Sequence, residues 1–304
     1  MAMQQALVSV VLATYNGERF LAQQIDSILQ QTYPNLEIIA VDDGSKDGTI
    51  ALLQQYDQRY PNVRVVQNAQ NLGVTKTFER GIEESRGEYI AFSDQDDLWL
   101  PEKLQVLTDA IGHYDAVYAN SLLVDENGAS LGRSFTSIMN MATYTHGGSF
   151  LLSNSVPGHA ILAKADFLKS ILPIPATVLY DLWIGFCAAG NHGIAFVDKV
   201  LVHYRQHDSN TVGTRLSSNK RKKKSAQQEF EEKKKELQLL SQAPVKDPFT
   251  KKLVKQMLQH FHQRWSFARS AFFFRNFDAL LFSKQKPRFR KKLYCLKMFF
   301  KPNY

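Results

Sequence analysis

Asp94-Gln95-Asp96 places two carboxylates one residue apart, directly after the apolar run Tyr89 to Phe92 and Ser93. At a strand end such a pair can share a hard divalent cation with diphosphate oxygens. Mg2+ and Mn2+ take a few carboxylates with waters and phosphates rather than a full protein cage. Asp42-Asp43-Gly44-Ser45 is a second acidic cluster, closing the run Leu36 to Val41. A carboxylate there can accept a hydrogen bond from a nucleobase imide or a ribose hydroxyl, and Gly44 permits the tight turn. A third polar cluster, Thr14-Tyr15-Asn16-Gly17, follows Leu7 to Leu12. Taken singly, each is also what an ordinary turn after a strand contains, since Asp, Asn, Gly and Ser are turn residues.

The elements that carry these clusters alternate. Strand-length apolar runs at Leu7–Leu12, Leu36–Val41, Val63–Val66 and Tyr89–Phe92 are separated by helical spacing. Phe20, Leu21, Ile25, Ile28 and Leu29 recur at helical intervals up to Tyr33-Pro34, and a helix from about Thr49 stops at Pro61. Strand, helix, strand, helix at this spacing predicts an α/β fold with a mainly parallel sheet and right-handed crossovers. In such sheets ligands bind beyond the carboxyl ends of the strands, so three polar clusters at equivalent ends outline one site. Further on, Ala116–Val124, Gly158–Ala163 and Ile194–Tyr204 read as strands, with a helix around Asp181–Ala189. Arg133–Phe150 reads as a loop near an acceptor.

In this order the three clusters resemble the family 2 glycosyltransferases of GT-A fold, most closely their bacterial rhamnosyltransferase-type members. Asn71-Leu72-Gly73, Arg86-Gly87-Glu88-Tyr89-Ile90 and Trp99-Leu100-Pro101-Glu102-Lys103 match as well, and the resemblance covers roughly residues 6 to 213. It implies a Rossmann-like sheet flanked by helices and an inverting transfer of a sugar from a nucleoside-diphosphate donor. dTDP-rhamnose is the first donor expected, with UDP-hexose or UDP-N-acetylhexosamine as alternatives. It also implies roles. Asp42 would contact the base and Asp94 the ribose or metal, while Asp96 would be the direct ligand of Mg2+ or Mn2+. Thr14, Tyr15 and Asn16 would line the nucleotide-sugar pocket, with Asp43 and Asp97 in support. Asp181, in Leu179-Tyr180-Asp181-Leu182-Trp183, falls where the family carries its catalytic base, although this chain has Tyr180 where Glu is common. A helix cap is the other reading of Asp181. His203 to Asn210 resembles the family's Tyr-Arg-x-His stretch, so Arg205 and His207 would face the departing diphosphate. An Arg205 that bridges acidic residues is the structural alternative, and His159 reads as a satisfied core histidine ahead of one that contacts the acceptor or donor sugar.

Charge divides the 304 residues. Met1–Thr214 carries 13 Lys and Arg against 23 Asp and Glu, a balance of −10; Arg215–Tyr304 carries 24 against 6, a balance of +18. The expected division is a glycosyltransferase domain at 1–213 and a basic, helical, amphipathic region at 214–304. Arg221–Leu240 suits a solvated helix, and Phe249, Leu253, Met257, Phe261 and Trp265 repeat every fourth residue. Lys284–Lys301 mixes cations with Phe, Leu and Tyr, as an interfacial segment does. The expected partners are therefore a nucleotide sugar, a lipid-linked glycan acceptor and an anionic membrane surface. Nucleic acid is not expected, since no nucleic-acid motif accompanies the charge. The start lacks a basic stretch and no apolar run reaches ~18 residues, so a cytoplasmic protein, peripheral on the inner face of the membrane, is expected. Cys187 and Cys295 lack metal-type spacing and read as reduced thiols. A nucleotidyltransferase on a similar sheet is a weaker alternative, because Thr14 to Arg19 has no Gly-rich phosphate loop.

Overall fold

The computed structural model describes residues 5–207, 225–260 and 265–300. The first half is built as the periodicity predicts. β1 (Val8–Thr14), α1 (Glu18–Leu29), β2 (Leu36–Asp42), α2 (Thr49–Arg59), β3 (Val63–Gln67), α3 (Val74–Glu84) and β4 (Tyr89–Ser93) succeed one another. β1, β2, β3 and β4 are all parallel, with Thr14 beside Asp42 and Leu12 beside Ser93. Side chains alternate between the two faces of the sheet. Val8, Val10 and Leu12 pack with Leu21, Ile25 and Ile28 of α1, whereas Val11, Ile39 and Val41 pack with Phe78 and Ile82 of α3. Two layers of helix thus bury both faces, which is what a parallel sheet requires.

The second half is mixed. β5 (Leu98–Trp99), α4 (Lys103–Ala110), β6 (Ala116–Val124), β7 (Ser130–Ser134), α5 (Phe135–Ile138), β8 (Ile161–Lys164), α6 (Ala165–Ser170), α7 (Tyr180–Ala189) and β9 (Ile194–Arg205) complete the sheet. The order is β3-β2-β1-β4-β8-β6-β9-β5, with β7 on β6; β8 runs antiparallel to β4 and β6, and β9 parallel to β6. Two expectations change here. The strand read from Gly158 begins only at Ile161, because Gly158–Ala160 forms a 3-10 turn. The segment read as a loop, Arg133–Phe150, holds the end of β7, all of α5 and most of a 3-10 turn at Gly147–Leu151. Local chemistry accounts for α5, where Ser134 and Ser137 close a reciprocal capping box.

The basic region is helical: α8 (Ala226–Ser241), α9 (Pro248–His260), α10 (Phe267–Arg275), α11 (Phe277–Leu281) and α12 (Arg288–Lys297). It shares one core with the body. Leu237, Leu240, Leu253, Met257, Phe273 and Leu281 are buried in the same cluster as Phe150, Trp183 and Phe186. The Thr250 hydroxyl accepts from the Gly147 amide, and the Ser149 hydroxyl donates to the Ala279 carbonyl. The fourfold repeat is core only in part: Leu253 and Met257 are buried, while Phe249 and Trp265 are exposed. Phe261, Lys301, residues 221–224 and the expected boundary at 213/214 lie outside the described residues. No helix among the described residues is long and apolar enough to cross a membrane. A chain cut at residue 213 removes Leu237, Leu253, Met257, Phe273 and Leu281 from the core they share with Phe150 and Phe186. The expected outcome is loss of cooperative melting and of most soluble yield, read by calorimetry and by fractionation of expressed protein.

Candidate active site

The carboxyl ends of β2, β1 and β4 lie side by side, and the chain reverses its order across the sheet between β1 and β4. A crevice opens at such a switch point. At its β2 side Asp42 is buried and fully engaged. One oxygen accepts from the Ser45 hydroxyl at 2.5 Å and Thr14 at 3.1 Å; the other accepts from the Gly44 and Ser45 amides at 3.0 and 2.9 Å. Gly44 sits at φ +80°, a conformation that costs an L side chain about 1 kcal/mol or more. Asp43 is likewise buried, accepting from Asn68 Nδ2 and from the amides of Leu72 and Gly73. That explains the Asn71-Leu72-Gly73 stretch: its backbone closes on Asp43. The β1 loop is tied to both neighbours. Asn16, at φ 48°, donates its amide to the Ser45 hydroxyl and accepts from the Lys46 amide. The Tyr15 amide and carbonyl both bind the Gln95 side chain, leaving the Tyr15 ring about half exposed above the crevice.

On the β4 side the carboxylates converge. Burial, then the charges of Asp96 and Asp181, push the Asp94 carboxyl up to about 7. Burial, then Asp96 and Asp94, push Asp97 well above the usual carboxylate range. Asp97 accepts the Arg205 amide at 3.1 Å, while its second buried oxygen has no hydrogen-bond partner among the described residues, with His159 Nδ1 3.8 Å away. Below lies Lys103, fully buried, its ammonium on the His159 carbonyl at 2.7 Å and 3.2 Å from the centre of the Trp99 ring. Burial pulls this amine down, and Asp97 and Asp94 oppose the shift. His159 is the core histidine expected: stacked on Tyr204, bonded to Ser121 Oγ at 2.9 Å, and pulled down to about 3 by burial and then by Lys103.

Asp96 meets His207, Oδ2 to Nε2 at 2.8 Å, with the imidazole against the Phe20 ring. Arg205 is a clamp. Its amide binds Asp97, Nε donates to the Asp96 carbonyl at 2.9 Å, Nη1 to the Glu126 carbonyl and Nη2 to Gln23, with the guanidinium over Phe20. It is 2% exposed, and these guanidinium bonds go to backbone carbonyls and to Gln23, while the Asp97 carboxylate is met by the backbone amide. The rest of the His203–Asn210 stretch, from Asp208, lies outside the described residues. Asp181 stands in the first turn of α7, one residue past the helix start and two past the capping residue Leu179. Burial pushes its carboxyl up to about 6, against the Leu182 amide at 2.7 Å and the Asn154 side chain, which favour the charged form.

The crevice thus gathers Asp94, Asp96, Asp97, Asp181 and His207, while Asp42, Asp43, Thr14 and Asn16 frame its β2 edge. Asp94, Asp97 and His159 have ligand atoms within 4.8 Å of one another. His159 and Asp97 are closed beneath the surface, however, and Asp96 with His207 forms the more open pair. Carboxylate and imidazole suit Mn2+, and carboxylate alone suits Mg2+. An Asp97 oxygen with no hydrogen-bond donor among the described residues and the raised Asp94 carboxyl mark a cluster of concentrated negative charge, so a dication fits the donor set. Lys103, Gln95 and Asn154 were not singled out from sequence. A Lys after Trp-Leu-Pro-Glu carries no signal of burial, and the ties of Gln95 and Asn154 are tertiary.

Residues 9–168, more than half of the chain, match the family model described as glycosyl transferase family 2. EpsE of Bacillus subtilis (strain 168), named as a glycosyltransferase, is 30% identical over 61% of this chain and 68% of its own. The fold is shared with S. aureus TarS 1–349, solved in complex with UDP-GlcNAc: TM-score 0.60, 20% identity, 98% of this chain and 81% of that one. It is shared less fully with the mannosyltransferase PcManGT of Pyrobaculum calidifontis, solved with GDP-Man and Mn2+: TM-score 0.50, 17% identity, 65% of this chain and 56% of that one. The fold is that of a GT-A-type glycosyltransferase. The chain belongs to glycosyl transferase family 2.

The Asp181 shift has a signed consequence for stability. Its carboxyl stands at 3.8 in the ordinary case and at about 6 here. Between those values the folded state holds a proton that the unfolded chain has lost, so stability falls as pH rises through that window. Asp181→Asn removes this penalty. In metal-free protein the variant should melt higher than the parent above pH 6, by up to about 2–3 kcal/mol. The two should converge below pH 4. Urea melts across this range test it, and a variant that is less stable at pH 7 would contradict the assignment.

Proposed function

We propose that the chain catalyses an inverting glycosyl transfer from a nucleoside-diphosphate donor to a hydroxyl of a growing lipid-linked or surface glycan. The observation that carries this reading is Asp181, a carboxyl raised to about 6, close enough to Asp94 for its charge to raise that carboxyl in turn. A base at that value is mostly deprotonated at neutral pH and still basic enough to take a hydroxyl proton. In the step, Asp181 accepts the proton of the acceptor O–H as that oxygen bonds to the anomeric carbon. The bond from that carbon to the diphosphate oxygen breaks, and the nucleoside diphosphate leaves with the electron pair. No second carboxyl is needed as nucleophile, and the anomeric configuration inverts.

Asp96, His207 and Asp94 would hold Mg2+ or Mn2+, which supplies Lewis-acid stabilisation of the leaving diphosphate. Asp42, with both oxygens engaged by Thr14, Gly44 and Ser45, acts on the nucleoside through that turn. Tyr15 offers its exposed ring to the base. Arg205 positions the site by fixing the Asp96 carbonyl and receiving Asp97 on its amide. The fold shared with TarS over nearly the whole chain supports a UDP-linked N-acetylhexosamine as the donor ahead of dTDP-rhamnose.

Nucleoside-diphosphate release and glycan product are to be measured over a panel of UDP-, dTDP- and GDP-sugars with lipid-linked acceptors. Turnover with a UDP-linked donor is expected, stopped by chelator and restored by Mn2+ or Mg2+. Asp181→Asn should lower kcat by about 10²–10⁴-fold with donor binding retained. Asp96→Ala should lose both donor affinity and turnover. In the parent, kcat should fall about tenfold per pH unit below pH 6. Turnover indifferent to chelator, or near-normal rates in Asp181→Asn, would overturn the corresponding role.

A further inference from the structure

Helix α12 buries one face and leaves the opposite one both apolar and uncovered. Tyr294, Cys295 and Met298 turn into the core, whereas Phe289, Leu293 and Leu296 are 60%, 50% and 54% exposed. At 100° per residue those three share an arc of roughly 60°, on the far side from Cys295 and Met298. Arg290 and Lys297 flank that stripe on one side, Lys292 and Arg288 on the other. Residues 283–300 hold seven Lys and Arg and no acid. The stripe continues at the end of the helix, where Phe300 is exposed and Phe299 packs on Phe267, itself 81% exposed. Trp265, close by in sequence to Phe267, is 66% exposed. On the Arg290 side, Lys284, Lys286, Lys291 and Lys297 join it around a cavity of about 290 Å³.

The surface is built and held. Arg269, fully buried, donates to the carbonyls of Met298, Phe299 and His260, so one guanidinium fastens the carboxyl ends of α12 and α9. Ser270 donates to the Cys295 carbonyl. A guanidinium at two helix carboxyl ends also opposes their dipoles. The uncovered stripe is therefore presented by a fixed helix.

We propose that this face seats the protein on an anionic bilayer, with Phe289, Leu293, Leu296 and Phe300 entering the acyl boundary. The flanking cations meet lipid phosphates, one of them taken into the cavity beside Arg290. Large apolar side chains aimed outward need an apolar medium, and rims of Lys and Arg on both sides need anions beside it; a charged lipid surface offers both. A second copy of the chain is disfavoured, since it would set these cations against their own kind. Nucleic acid would match the charge and leave the stripe in water. The placement also bears on the acceptor. Ser153 bonds Ser283, just ahead of the basic segment, and the next residue, Asn154, bonds Asp181. On the reading proposed above, a lipid-linked acceptor would reach the base from this side; the docking itself does not depend on that reading.

The test uses the full chain and vesicles of phosphatidylcholine with or without phosphatidylglycerol. Trp265 reports insertion, because Trp99 and Trp183 are buried. Co-sedimentation with the anionic vesicles only, weakened by salt, is expected, with a blue shift of tryptophan emission. Combined Phe289→Ser, Leu293→Ser and Leu296→Ser should lower the partition coefficient at least about tenfold with unchanged melting. Arg290→Glu with Lys297→Glu should do the same. Turnover on a soluble acceptor should be unchanged in both variants. Equal binding to neutral vesicles, undiminished binding of the triple variant, or binding to polyglutamate but not to vesicles would each overturn the proposal; the last would point to an acidic protein. Vesicle binding without sugar transfer would sink the transferase reading and leave this one standing.

Discussion

Asp94 and Asp97 are lowered into the protein beside Asp96, where lost hydration and mutual repulsion both oppose their charge. A cluster of this kind persists only if its surroundings supply cations and donors in fixed places. The chain supplies them from distant segments: Lys103 from beneath, the Arg205 amide from the end of β9, the His207 imidazole beside Asp96, and the α7 amides around Asp181. Lys103 could not stay buried without the His159 carbonyl and the Trp99 ring. His159 in turn is held neutral by the same burial. The second half of the sheet, with its mixed strand directions, is the frame that brings these counter-charges to the end of β4.

The first half does a different job. Parallel strands with both faces covered put the ends of β2, β1 and β4 at one level, and the reversal between β1 and β4 keeps the crevice open. Side chains then lace the loops across the strand ends: Asn16 to Ser45 and Lys46, Tyr15 to Gln95, Asp43 to Asn68, Leu72 and Gly73. A site on loops is as well ordered as such ties make it.

The parallel half and its three polar clusters were legible because each signal is local: a β-branched run, a helical stripe, a turn with Asp and Gly. The two-residue β5 and exposed β7 carry no such run, and the Gly158 turn was hidden by the apolar residues after it. Within the crevice, residue types were readable and their partners were not. Asp42 and Asp43 look alike in sequence, yet one holds a turn and the other a neighbouring loop. Arg205 and His207 are two residues apart, and only the imidazole meets the open side of Asp96, since the guanidinium spans Phe20 to reach Gln23 and Glu126. The basic region read as an appendage because its charge is conspicuous, while the residues that join it to the core, such as Leu253-Val254, Phe272-Phe273 and Leu280-Leu281, come in short pairs spread over several helices.

Gln95, the middle residue of Asp94-Gln95-Asp96, binds both the amide and the carbonyl of Tyr15, and its amide group fills the space where a side chain at position 17 would begin. A Cβ on Gly17 would stand 2.1 Å from Gln95 Oε1. The two positions therefore form one lock, although 78 residues separate them in the chain. In descendants of this sequence, a larger residue at 17 requires either that the flexible end of Gln95 swing off the Tyr15 backbone or that position 95 shorten. The spacer of the acidic pair and the glycine of the first loop should then drift as a couple, with the Tyr15 ring moving as they do.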